Sequence, residues 1–149
     1  MNAKLMLLAN FIVALFMTGV IWYVQVAHYP LFANVSQAAF PGYHAAHNNA
    51  TTLVVALPML IELGLSFALL VYRPDSFSVV LAGLALALTL VVWACTFFIS
   101  VPLHGQLSAS GFDLNVIAQL VNTNWVRTLV WTGRAVILGV GVAQVMGLA

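Results

Sequence analysis

Four long apolar segments, separated by shorter and more polar ones, fill most of this chain. A helix rises about 1.5 Å per residue, so roughly 20 apolar residues cross the ~30 Å hydrocarbon layer of a membrane. The runs are continuous, which favours helices over the alternating strands of an outer-membrane barrel. We therefore predict an all-α integral membrane protein, a four-helix bundle that forms one domain over residues 1–149. The predicted spans are residues 5–26, 51–72, 77–101 and 125–147.

The composition supports an integral membrane protein and limits the kinds of partner that it can bind. Hydrophobic residues make up 64% of the chain and charged residues 5%, whereas soluble domains carry about a quarter charged residues. A net charge of +1 offers no surface for nucleic acid. The first apolar run exceeds the ~7–15 residues of a signal-peptide core, so we expect it to stay in the mature protein. The expected partners are membrane lipid and a lipophilic small molecule.

Charges beside the spans suggest an orientation. Lys4 and Arg73 border one face of the membrane and Arg127 the other. Cytoplasmic loops are enriched in Lys and Arg, so this distribution favours cytoplasmic termini by a single charge. Residues 27–50 and 102–124 would then lie outside, and a bacterial inner membrane is the expected location.

The two outer loops contain helix-start signals. Pro41 is a typical first-turn residue, and Asp113 is a typical N-cap. We predict a short interfacial helix after each of them, covering the open end of the bundle on one face.

All four histidines belong to that outer face: His28, His44, His47 and His104. Residues three apart share a helix face, as His44 and His47 do. Converging imidazoles would form a metal site, and we expect copper or iron there, with zinc or haem as lesser alternatives. This spacing is not specific. Histidines that only cap helices, with no cofactor at all, and histidines that carry protons remain open interpretations.

Two charged residues are predicted near mid-membrane, Glu62 and Arg134. An isolated charge there costs at least about 2.5 kcal/mol, so we expect the two to pair. The pair either fixes helix register or handles a proton or a substrate oxygen. Arg127, Trp131 and Arg134 follow helical spacing and form one inward stripe, which predicts a polar, Trp-lined cleft beneath the histidines. The catalytic candidates are Glu62, Arg127 and Arg134.

Aromatic and amide residues supply the substrate-binding candidates. Trp22, Gln25 and Tyr29 form a stripe on the first span, and Trp93 with Phe97 begins another on the third. Such stripes are typical of packing or of an interfacial belt; the functional alternative is a pocket for a flat or lipid-soluble ligand. The candidates for substrate binding are Trp22, Gln25, Asn124 and Trp131.

Three short motifs carry a family resemblance: Tyr29-Pro30-Leu31, Val101-Pro102-Leu103-His104-Gly105-Gln106-Leu107 and Asn124-Trp125-Val126-Arg127-Thr128. With them the chain resembles the anthrone oxygenase-like family of small four-helix membrane proteins, and within it an uncharacterised bacterial subset. The resemblance implies Asn124 and Arg127 as motif residues, with His104 where the family pattern has asparagine. It also implies the chemistry of characterised members, which oxidise anthrones to anthraquinones with dioxygen.

One main hypothesis follows. The chain is a membrane-embedded oxidoreductase, metal-dependent or cofactor-free, with histidines at the outer face and a lipophilic substrate below them. Phosphate-loop, nucleophile-elbow, Cys-x-x-Cys and His-Glu-x-x-His motifs are absent from the sequence, so nucleotide, serine-hydrolase and thiol chemistry are unsupported. The alternatives are a non-catalytic subunit or assembly factor of a larger membrane complex, and a haem-binding membrane protein. Either a homo-oligomer or a larger complex is compatible with the apolar surfaces.

Overall fold

A computed structural model describes residues 2–148 of the chain and contains four long helices. They are α1 (Ala3–Asn34), α2 (Phe40–Val71), α3 (Val79–Ser110) and α4 (Leu114–Met146), each long and apolar enough to cross a membrane. No strand occurs within the described residues. The predicted all-α four-helix membrane bundle is confirmed.

The helices form a ring in which sequence neighbours are antiparallel. α1 packs on α2 and α4, and α3 packs on the same two helices. The loops at residues 35–39, 72–78 and 111–113 are short, so each helix runs antiparallel to the next one along the chain. We call the end with the first and third of these loops the histidine end, and the opposite end the termini end. One apolar cluster, which includes Met17, Phe32 and Leu120, fills the histidine half, and a second, around Leu7, Leu69 and Leu138, fills the termini half.

Each helix is longer than the span predicted for it. Lengths of 32 or 33 residues correspond to about 48 Å at 1.5 Å per residue, well beyond ~30 Å of hydrocarbon. Most of the extra turns lie at the histidine end, where exposed side chains such as Asn49, Gln106 and Gln119 are polar. The bundle therefore extends past the hydrocarbon layer at this end.

The helix starts expected at Pro41 and Asp113 are present, but separate short helices are not. Pro41 lies in the first turn of α2. A carboxylate oxygen of Asp113 accepts hydrogen bonds from the backbone N–H groups of Asn115 at 2.8 Å and Val116 at 3.2 Å, which caps α4. Both helices then continue without a break into the membrane, because the apolar pattern of the following span allows each helix to propagate.

Two π-helical turns interrupt the bundle at its histidine end. They span Val24–His28 in α1 and Thr96–Ser100 in α3, and a proline, Pro30 or Pro102, follows each of them two residues later. Proline has no N–H to donate to the carbonyl four residues earlier. A wider turn accommodates that missing bond, and π-turns of this kind are frequent at functional sites.

Candidate functional site at the histidine end

The four histidines of α1, α2 and α3 converge at the histidine end. His28 Nε2 lies 2.6 Å from His47 Nδ1, and His44 Nε2 lies 3.0 Å from His104 Nδ1. The rings of His47 and His104 stack with their centroids 5.3 Å apart, so the two pairs form one cluster. In each hydrogen-bonded pair one nitrogen donates and the other accepts, which requires at least one neutral imidazole per pair. The four imidazoles that the sequence placed at one face therefore lie together in the structure.

Convergence of the four imidazoles does not by itself make a metal site. Within residues 2–148 no group of three or more His, Cys, Asp or Glu side chains is arranged to hold a metal ion. Instead, the imidazole nitrogens pair with one another. The donor type still suits copper, iron or zinc, and the 3.0 Å separation of His44 from His104 is close to the ~3.3 Å between two nitrogens held ~2.0 Å from a tetrahedral metal. The metal stays a prediction.

A chain of hydrogen bonds links the histidines to the bundle interior through Tyr29. The Tyr29 hydroxyl lies 3.0 Å from His104 Nε2 and accepts from Arg127 Nη2 at 3.3 Å. Arg127 Nε and Nη2 both donate to Asn124 Oδ1, at 3.0 and 2.5 Å. Asn124 Nδ2 donates in turn to Gln25 Oε1 at 2.9 Å. The candidates Gln25, Asn124 and Arg127 are thus linked to His104.

Arg127 is an interior residue rather than a loop charge. Its side chain is buried, with 8% of the residue exposed, although it was counted at the outer face when orientation was predicted. Among the described residues it takes part in no ion pair, since the one pair found there joins Glu62 to Arg134. A buried guanidinium surrounded only by neutral groups is unusual because burying an unpaired charge is costly.

The predicted Glu62–Arg134 pair is confirmed, and it lies in a second polar network. Arg134 Nη1 donates to Glu62 Oε1 at 2.6 Å, and Trp131 Nε1 donates to Glu62 Oε2 at 3.0 Å. The other Arg134 nitrogens donate to hydroxyl and amide oxygens of the neighbouring helices. These further acceptors are Thr89, Ser66 and Asn10. Every helix therefore contributes a polar side chain to this network.

Three neighbouring clefts lie beneath the histidines and around the middle of α2, and all three share Thr51 and Val55 as lining residues. One of about 440 Å³ lies between α1 and α2 and reaches His28. Another of about 370 Å³ lies between α2 and α3 and is lined by His47, His104, Tyr29 and Arg127. A cavity of about 60 Å³ inside the bundle, lined by Arg127 and Trp131 among others, shares residues with both. Arginine and tryptophan thus meet in the inner cavity, as the helical spacing of Arg127 and Trp131 suggested, but its lining is mainly apolar rather than polar.

The middle of α2, beside the clefts, packs only partly against the bundle, and Val55 there is half-buried against the core. Between His47 and Met59 no residue of α2 is buried, and Leu53 is 84% exposed. The helix is held at one end by His44 and His47 and at the other by Met59, Glu62 and residues beyond. Lipid can therefore reach the clefts from both sides of α2.

Not every candidate belongs to this site. Trp22 is 38% exposed; its indole N–H donates to Thr132 at 3.0 Å, and its ring packs edge-on against Trp125. It lines none of the three clefts. Phe97 is 55% exposed, and its ring packs on that of Trp93 with the centroids 5.4 Å apart. Both aromatic residues belong to the lipid-facing surface.

Sequence reasoning missed several polar residues of the two networks. Asn10, Ser66 and Thr89 were not considered, and Thr96, whose hydroxyl lies 3.4 Å from Arg127 Nη1, was not singled out. Of these residues, Asn10 could have been recognised from the sequence, because a lone amide inside an apolar span needs a partner. Thr and Ser give little signal, since their hydroxyls can bond to the carbonyl four residues earlier, as those of Thr89 and Ser66 do.

Comparison of the chain with protein-family models, with curated proteins and with solved structures finds no match. The resemblance to the anthrone oxygenase-like family therefore rests on its three sequence motifs.

Proposed function

We propose that this four-helix membrane protein is an oxidoreductase of the oxygenase type, which acts on a lipophilic substrate beneath a histidine-bound copper or iron ion. The observation that carries the proposal is the convergence of four imidazoles from three helices directly above a cleft lined by His47, His104, Tyr29 and Arg127. An apolar cleft with a few convergent polar groups is the usual form of a small-molecule site.

The histidines would hold the metal and Tyr29 would connect them to the substrate. Bound copper or iron would supply one-electron chemistry with dioxygen. The Tyr29 hydroxyl, shared between His104 and Arg127, is placed to pass a proton between the histidines and a ligand in the cleft. Arg127 and Asn124 would orient the polar end of that ligand.

In this proposal Glu62 and Arg134 act through another residue and do not touch the substrate. Neither side chain is exposed, and neither lines a cleft. Their hydrogen bonds fix Trp131, whose indole N–H points at Glu62 and which lines the inner cavity. We therefore assign them a positioning role rather than contact with substrate.

The family resemblance suggests anthrone as the first substrate to test. Oxidation of its methylene carbon to a carbonyl removes two hydrogens and adds one oxygen. Dioxygen supplies that oxygen, and its second atom leaves with the two hydrogens as water, so the reaction needs no further reductant. Formation of anthraquinone can be followed by its absorbance, together with dioxygen consumption.

The deciding experiment measures metal content and turnover on the same preparations. Untagged protein in mild detergent should contain about one copper or iron per chain and oxidise anthrone. A His44→Ala/His47→Ala variant should lose both properties, whereas Asn49→Ala, an exposed change on the same helix, should keep both. Metal content that the double variant leaves unchanged would overturn the metal assignment, and a Soret band would replace it with haem. Anthrone oxidation without metal would leave a cofactor-free oxygenase.

A further inference from the structure

Arg127 lacks a counter-charge that the protein could itself supply. The chain has three acidic residues: Glu62 is paired with Arg134, Asp113 caps α4, and Asp75 lies in the loop at the termini end. A guanidinium remains charged at all ordinary pH values. Its burial among neutral groups is therefore a cost that a bound anion would offset.

The guanidinium also has a hydrogen-bond donor, Nη1, that is only partly satisfied, and Arg127 lines two of the clefts. Nε and Nη2 are held by Asn124 Oδ1, so the plane of the group is fixed. Nη1 has one long contact, to the Thr96 hydroxyl at 3.4 Å, although it carries two hydrogens. Arg127 and Thr96 line both the 370 Å³ cleft and the inner cavity. One hydrogen of Nη1 is thus available to a ligand there.

Charge and shape together define the class of ligand. Arg134 is neutralised by Glu62, and Lys4 and Arg73 lie at the termini end, so Arg127 is the single cation near the clefts. A monoanion balances it, whereas a phosphate monoester would bring close to two negative charges. Valines supply much of the wall of the cleft between α1 and α2, namely Val20, Val24, Val54 and Val55, and these suit a hydrocarbon chain.

We propose that the clefts bind a long-chain carboxylate, with its head group on Arg127 and its hydrocarbon chain beneath α2. The carboxylate accepts a hydrogen bond from the remaining hydrogen of Nη1, since the Thr96 hydroxyl already donates to the Val92 carbonyl at 2.8 Å. Its chain leaves the bundle through a gap beside α2, where no residue from Asn48 to Pro58 is buried. The inference rests on the proposed function in that both place the ligand in the same cleft, but it needs neither metal nor turnover.

The test compares a carboxylic acid with its own neutral ester. Protein in lipid nanodiscs is titrated with cis-parinaric acid, a fluorescent long-chain acid, and with its methyl ester, and empty nanodiscs give the background. The acid should bind at least about tenfold more tightly than the ester, since a charge-assisted hydrogen bond contributes that much or more. Equal affinities, or no binding above the empty nanodiscs, would overturn the inference.

Two variants connect the preference to Arg127. Arg127→Gln should remove the preference for the acid, and Arg73→Gln at the termini end should retain it. If Arg127→Gln does not fold, Asn124→Asp provides the test. Its carboxylate would lie against Nε and Nη2 of Arg127 and neutralise the guanidinium. That variant should fold and bind acid and ester alike, and a preserved preference for the acid would overturn the inference.

The binding assay separates this inference from the proposed reaction. An acid preference that depends on Arg127, in a protein that oxidises no anthrone and holds no metal, supports the carboxylate site and removes the oxidoreductase proposal. Oxidation of anthrone together with equal binding of acid and ester supports the oxidoreductase proposal and overturns the carboxylate site.

Discussion

The guanidinium of Arg134 lies 2.6 Å from the carboxylate of Glu62, and neither side chain has any exposed surface. Asn10 of α1 and Thr89 of α3 also accept hydrogen bonds from Arg134. One residue of α4 therefore contacts all three other helices through polar bonds. This network fixes the helices relative to one another in the termini half, where the surrounding core is otherwise apolar.

Glu62→Gln is expected to destabilise the bundle by about 3–5 kcal/mol, because it leaves a buried guanidinium without its partner. Glutamine keeps the size of the original side chain but has one acceptor oxygen, so the loss combines the missing charge with one hydrogen bond, to Arg134 or to Trp131. The measurement is the free energy of unfolding in mixed detergent and denaturant, or the melting temperature in a matched detergent.

The double variant Glu62→Gln/Arg134→Met is the control for this prediction. Replacing both charges is close to neutral in other buried pairs, so most of the lost stability should return. A single variant as stable as the parent protein would show that the ion pair contributes nothing to folding.

Gly141 on α4 is a second position where a small change is costly. A Cβ atom built there would lie 2.5 Å from the ring of Phe77, which is fully buried and packs in the core of the termini half. Gly141→Ala should therefore destabilise the protein by about 1–3 kcal/mol through overpacking. Thermal unfolding in detergent gives the sign and size of the effect.

Gly133, two helical turns earlier, provides the matched control. A Cβ atom there meets nothing within 4 Å, and alanine favours a helix interior over glycine by roughly 0.5–1 kcal/mol. Gly133→Ala should therefore leave the melting temperature unchanged or raise it. Equal behaviour of the two alanine variants would mean that Phe77 does not pack closely on α4.

Val55 lies at the meeting point of the three clefts and lines all of them. Val55→Phe should obstruct the space beneath α2 and reduce both parinaric acid binding and the proposed oxidation, the latter by about tenfold or more through misplacement of the substrate. Leu57→Phe, at a residue that is 64% exposed, adds an aromatic ring on the outer surface and should change neither. Wild-type binding in the Val55 variant would exclude the clefts as the ligand site.

Much of the fold follows from patterns that act over short distances. The four apolar runs predicted the helices, and Pro41 and Asp113 marked where two of them begin. The pairing of Glu62 with Arg134 was predictable because neither charge can remain alone in hydrocarbon. The helical spacing of Arg127, Trp131 and Arg134 likewise predicted one buried stripe, and all three are buried.

The details of the site depend on features that spacing does not encode. Tyr29 was recognised as part of an aromatic stripe, but its hydrogen bonds with His104 and Arg127 join residues of three helices, which spacing along the sequence does not bring together. The gap beneath α2 was also unpredictable, because the exposed apolar residues there, such as Leu53, resemble those of any lipid-facing helix.

Deleting a single codon within the π-turn Val24–His28 or the π-turn Thr96–Ser100 would restore an ordinary α-helical turn without breaking the span. All residues beyond it would then rotate by about 100° relative to the membrane part, since an α-helix has 3.6 residues per turn. Such a deletion would turn His28 or His104 out of the cluster while the transmembrane packing remained intact. Single-residue insertion and deletion is therefore a route by which a bundle of this shape can gain or lose its histidine site.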